Sequence, residues 1–68
     1  MAKYTIDFDD DFDNTLSELK DSTDATTKAD VIRRAVASYK FLKSQTAQGK
    51  DVAVTDKSGK VEKSVVLP

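Results

Sequence analysis

The sequence predicts a mostly helical chain with short β segments, in the order strand, helix, helix, hairpin. Three observations predict it. Residues 3–8 alternate polar and apolar, the period of a strand with one buried face. Two stretches, 10–21 and 28–47, carry apolar residues at helical spacing. Residues 51–67 alternate again on either side of Asp56-Lys57-Ser58-Gly59, a run of turn formers.

In the first segment Tyr4, Ile6 and Phe8 fall on one side and Lys3, Thr5 and Asp7 on the other. Asp9 or Asp10 then provides a helix N-cap. Asp10, Asp11 and Asp13 lie in the first turn, where carboxylates favour the positive end of the helix dipole, and Lys20 lies near the other end. Phe12, Leu16 and Leu19 form a narrow apolar stripe, so the first helix is expected at 10–21. The aspartate run is read as capping plus a solvated face. A calcium loop would need a sharp Gly turn, and the run contains no glycine. Residues 21–26 are a polar connector. Thr27-Lys28-Ala29-Asp30 resembles a capping box with Asp in place of Glu. The second helix, 28–47, follows with a wide apolar face of Val31, Ile32, Ala35, Val36, Tyr39 and Leu42. Gly49 is its stop. In the hairpin a four-residue loop sets Val54 opposite Val61, with Val52, Val65 and Leu67 on the same face. A three-residue loop would set Val54 opposite Glu62, the less favourable register.

Composition narrows the function. With 68 residues the chain is one small domain, which buries only about 60% of its unfolded surface. It has no cysteine to staple it, so oligomerisation is the remaining route to stability. It has no histidine either, which removes the commonest metal ligand and general base. No metal site, cofactor or enzymatic activity is expected. No stretch is long or apolar enough to span a membrane, the N-terminus lacks the layout of a signal peptide, and a cytoplasmic location is expected. Net charge is −1 but unevenly spread: −4 over residues 1–20, +3 over 21–50 and zero over 51–68. Such asymmetry points weakly to an anionic partner, whereas a pI near 5.2 argues against indiscriminate coating of nucleic acid.

The first strand has no neighbour in sequence to pair with, and its backbone groups need partners. It either pairs with its copy in a second chain or joins the C-terminal hairpin as a third strand. The first solution makes a two-stranded antiparallel ribbon with Tyr4, Ile6 and Phe8 packed on four helices. Such a ribbon fits the major groove of B-DNA, where Lys3 can donate to guanine, Thr5 can bond either kind of base edge and Asp7 can accept from cytosine N4.

Lys3-Tyr4-Thr5-Ile6-Asp7-Phe8, the helix with Phe12 and Leu16, and Thr27-Lys28-Ala29-Asp30-Val31-Ile32-Arg33-Arg34-Ala35-Val36 together resemble the ribbon-helix-helix DNA-binding proteins of the Arc, MetJ and CopG type. The resemblance covers residues 2–44. It implies an obligate homodimer over 1–48 that binds double-stranded operator DNA, in higher order on tandem sites, and represses transcription. It implies base reading by Lys3, Thr5 and Asp7 and a phosphate clamp at Thr27 and Lys28, where unbonded amides at a helix start favour an anion. The dimer core would comprise Tyr4, Ile6, Phe8, Val31, Ile32, Ala35, Val36 and Tyr39. Arg33 and Arg34 are read as solvated or ion-paired surface, and Tyr39 and Phe41 as core or core edge.

The resemblance assigns no role to the extension 49–68. The simplest expectation is that this hairpin covers apolar helix surface. Alternatively residues 51–68 engage a partner protein, as in an antitoxin, by adding a strand to the partner's sheet. A third possibility is a monomeric domain without a nucleic-acid role, in which the first strand closes on the hairpin.

Overall fold

The structure, a computed structural model, describes residues 1–68. It contains two helices, α1 (Asp10–Ser22) and α2 (Lys28–Ala47), followed by strands β1 (Val52–Thr55) and β2 (Val61–Val65) in a two-stranded antiparallel sheet. The helices match the expected spans to within one residue. The chain divides into two compact units, Met1–Arg34 and Ala35–Pro68.

In the first unit Asp9 caps α1, its carboxylate accepting from the amide of Phe12 at 2.8 Å. Asp10, Asp11 and Asp13 occupy the first turn and Lys20 the last, the arrangement the helix dipole favours. Phe8, just before the cap, stacks on Phe12 with ring centroids 4.6 Å apart. The helix closes on Thr23, whose hydroxyl donates to the carbonyl of Leu19 at 2.7 Å and accepts from the amide of Ala25 at 3.3 Å. Thr27 caps α2, accepting from the amide of Asp30 at 3.0 Å. The reciprocal half of a capping box is not made, because the carboxylate of Asp30 turns to Arg34 instead, at 3.0 Å. Leu16, Ala25 and Val31 are buried, with Ile32 packed against them.

Residues 1–9 belong to no helix or strand, and no backbone group of residues 1–8 has a hydrogen-bond partner within the chain. The sheet consists of β1 and β2 alone. The three-stranded closure considered from sequence is therefore not formed.

In the second unit α2 ends at a Schellman motif. Gly49 adopts φ +80°, its amide donates to the carbonyl of Thr46 at 3.0 Å, and that of Lys50 reaches Gln45 at 3.2 Å. These bonds satisfy carbonyls that a helix end leaves over. The hairpin forms where expected but corrects both loop and register. Asp56 and Lys60 pair through Asp56 N to Lys60 O at 2.9 Å, and Gly59 N reaches Asp56 O at 3.0 Å. The loop is thus the three residues Lys57-Ser58-Gly59, with Gly59 at φ +91°, the arrangement in which a tight turn is followed by a left-handed residue. Thr55 pairs with Val61, and a bulge then shifts the register so that Val54 opposes Lys63 and Val52 opposes Val65. The expected pairing of Val54 with Val61 is not made. Turn chemistry fixes the loop length, and the extra residue of the bulge keeps Val52, Val54 and Val65 on one face. Finally, the hydroxyl of Tyr39 donates to the main-chain oxygen of Pro68 at 2.7 Å.

Candidate nucleic-acid interface

The residues singled out for DNA recognition all lie in the first unit. Lys3, Thr5 and Asp7 occupy alternate positions of the segment before α1, and all three are exposed. None makes a hydrogen bond or ion pair within the chain. Their apolar alternates are equally bare: Tyr4 is 84% exposed and Ile6 63%, whereas Phe8 falls to 39% against Phe12.

Thr27 and Lys28 meet at the start of α2. The oxygen of Thr27 is occupied by the amide of Asp30 and its carbonyl by the amide of Val31 at 3.2 Å. The amides of Lys28 and Ala29 are the donors this first turn leaves over. Lys28 is exposed but not unengaged. Its ammonium donates to Asp13 Oδ1 of α1 at 2.7 Å, with both side chains about half exposed.

Arginine chemistry nearby is committed too. Arg34 bridges Asp24 and Asp30. The guanidinium holds the Asp24 carboxyl below the usual carboxylate range, and Asp24 in turn holds the guanidinium in its charged form. The reading of Arg34 as ion-paired surface is met. Arg33 is exposed and makes no ion pair. The pair of Arg34 with Asp30 is legible as an i,i+4 spacing. The pairs with Asp24 and between Lys28 and Asp13 depend on tertiary geometry and carry no sequence signal.

Charge is the quantity that decides what such a surface can hold. Residues 1–34 contain five cations and nine carboxylates, a net charge of −4. Residues 35–68 carry six cations and three carboxylates, a net charge of +3, so the negative charge is concentrated in the half that holds Lys3, Thr5, Asp7, Thr27 and Lys28. No group of three or more carboxylates is arranged to hold a metal ion.

Of the residues assigned to a dimer core, Val31 is buried and Ile32 partly so, while Tyr4, Ile6, Phe8, Ala35, Val36 and Tyr39 are exposed in the single chain. Phe41, expected at the core edge, is 61% exposed. The chain matches no protein-family model, no curated protein and no solved structure. No helix is long and apolar enough to cross a membrane.

Proposed function

We propose that two copies of this chain pair through residues 3–8 as an antiparallel ribbon, and that the resulting ribbon-helix-helix dimer is a sequence-specific DNA-binding repressor of transcription. The observation that carries this reading is the state of the N-terminal segment. A strand-patterned stretch lacks any backbone partner in its own chain, while Tyr4 and Ile6 lie open to water. A second copy supplies both missing things at once, backbone pairing and cover for the apolar side chains. The ribbon's other face then presents Lys3, Thr5 and Asp7 to the major groove, and the α2 starts place Lys28 and its neighbouring amides on flanking phosphates. Selection of sites from random duplex DNA at moderate salt tests the reading. It is expected to recover an inverted repeat, since a two-fold dimer reads two-fold DNA. Recovery of no preferred sequence counts against it.

A second reading is favoured by the hairpin itself. Both of its strands are sheet edges, and Val54 and Val61 are about half exposed. Such an edge can accept a strand from a partner protein, which is compatible with DNA binding by the first unit. Deleting residues 50–68 tests it: loss of partner pull-down with DNA binding intact supports a protein-binding hairpin, and no co-purifying protein on the full chain counts against it.

A further inference from the structure

Lys28 already holds an anion. Its ammonium lies on Asp13 Oδ1 at 2.7 Å, within the range of charge-assisted N–H···O contacts that a DNA phosphate oxygen would adopt. Asp10 and Asp11 share the first turn of α1 with Asp13 and supply the same favourable charge to the helix dipole, yet neither touches a cation. Asp13 alone reaches across to α2, fifteen residues on in sequence. We propose that Asp13 is an affinity-setting residue of the DNA interface, an internal phosphate mimic that competes with duplex phosphate for Lys28.

This inference rests on the DNA-binding reading above and adds a residue to it. Docking on any duplex exchanges one ion pair for another. Lys28 gains a phosphate and releases counterions from the DNA, but Asp13 loses its partner and takes up a cation from solution. The usual gain from counterion release is offset at this contact. The consequence is a clamp that orients the dimer while adding little affinity for arbitrary sequence. Base contacts at Lys3, Thr5 and Asp7 are untouched by the exchange, so sequence preference is unchanged and the protein is held less by bulk DNA.

The test is fluorescence anisotropy of a labelled mixed-sequence duplex, titrated with the wild-type chain, Asp13→Asn, Asp11→Asn, Lys28→Ala and the double variant Lys28→Ala/Asp13→Asn across a series of salt concentrations. Thermal melts report that each variant is folded, and Asp13→Ser carries the same expectation if Asp13→Asn melts early. Asp13→Asn is expected to tighten binding by about two- to fivefold per protomer, the worth of an exposed ion pair. It should also steepen the dependence of log affinity on log salt by up to about 0.9 per protomer. Asp11→Asn removes the same charge without breaking an ion pair and is expected to change affinity less. In the Lys28→Ala background the effect of Asp13→Asn is expected to shrink towards that of Asp11→Asn. Equal effects of Asp13→Asn and Asp11→Asn, or an undiminished effect without Lys28, would mean general charge repulsion and overturn the competition. Duplex binding by the wild-type chain with Asp13→Asn unchanged overturns this inference alone. Absence of binding by every variant at low salt removes the DNA-binding reading along with it.

Discussion

Individual carboxylates set much of the local chemistry of this chain. Asp56 is the clearest case. Its Oδ1 accepts from the hydroxyl of Ser58 at 2.6 Å and from the amides of Ser58 and Lys60 at 2.9 and 3.0 Å. These bonds, that of the Ser58 hydroxyl foremost, hold its carboxyl below the usual range. A folded-state pKa depressed below the unfolded one stabilises the turn above the unfolded value of about 4, and the benefit is lost as pH falls through the depressed value. The hairpin is therefore expected to loosen in acid, with the Ser58 and Lys60 amide resonances titrating together below about pH 4. Asp56→Asn, which keeps an acceptor but not a proton equilibrium, should flatten that titration, and a profile identical to wild type would assign it elsewhere. On the recognition side, Lys3→Ala is expected to weaken binding to the selected site by about 1–3 kcal/mol and relax its specificity, as loss of a base contact does. Lys28→Ala should weaken binding to all duplexes alike, only slightly with Asp13 in place and more in the Asp13→Asn background. Mobility-shift titrations on matched and mismatched duplexes distinguish the two patterns, and a change of sequence preference in Lys28→Ala would place that residue among the base readers instead.

At the level of elements, the helices were legible and the hairpin only half so. Asp9, Thr27 and Gly49 are strong local signals, because capping and left-handed termination depend on a few adjacent residues. Both helices consequently begin and end within one residue of expectation. The hairpin's existence was equally local, but its register was not. It depends on Gly59 completing a three-residue loop and on a bulge between that loop and the rest of the ladder, and alternation alone is blind to an inserted residue. The candidate site was less legible. The alternation of residues 3–8 distinguishes no face in the single chain, where Tyr4 and Ile6 are as exposed as Lys3, Thr5 and Asp7, and the engagement of Lys28 by Asp13 arises only once α1 and the start of α2 are packed around Leu16, Ala25 and Val31. Gly49→Ala tests the helix stop by itself. A methyl group there meets nothing within 4 Å, so the cost is that of holding φ +80° with a side chain, about 1–2 kcal/mol. A thermal melt reads it, and an unchanged midpoint would show that the Schellman turn contributes nothing to stability.

For the molecule as a whole, the deciding fact is how little one chain buries. Leu16, Ala25 and Val31 are its only buried apolar residues, while Tyr4, Ile6, Val36, Tyr39 and Phe41 are all roughly half exposed or more. Chains of this size are marginal on their core alone and often add a disulfide, a metal or a partner copy; a disulfide is excluded here because there is no cysteine. The proposed pairing of two copies would cover these faces and would make stability depend on concentration by mass action. The melting temperature is expected to rise with protein concentration. Ile6→Asp, which sets a charge in the ribbon's apolar face, should lower it sharply and yield a monomer in sedimentation; an unaltered sedimentation coefficient would remove Ile6 from the interface. The most direct measurement is an isotope-filtered NOE experiment on a mixture of differently labelled chains. Cross-chain contacts between backbone protons along residues 3–8, running antiparallel, are the predicted result. A folded chain whose first eight residues show no contact to any other molecule would contradict the account at its root.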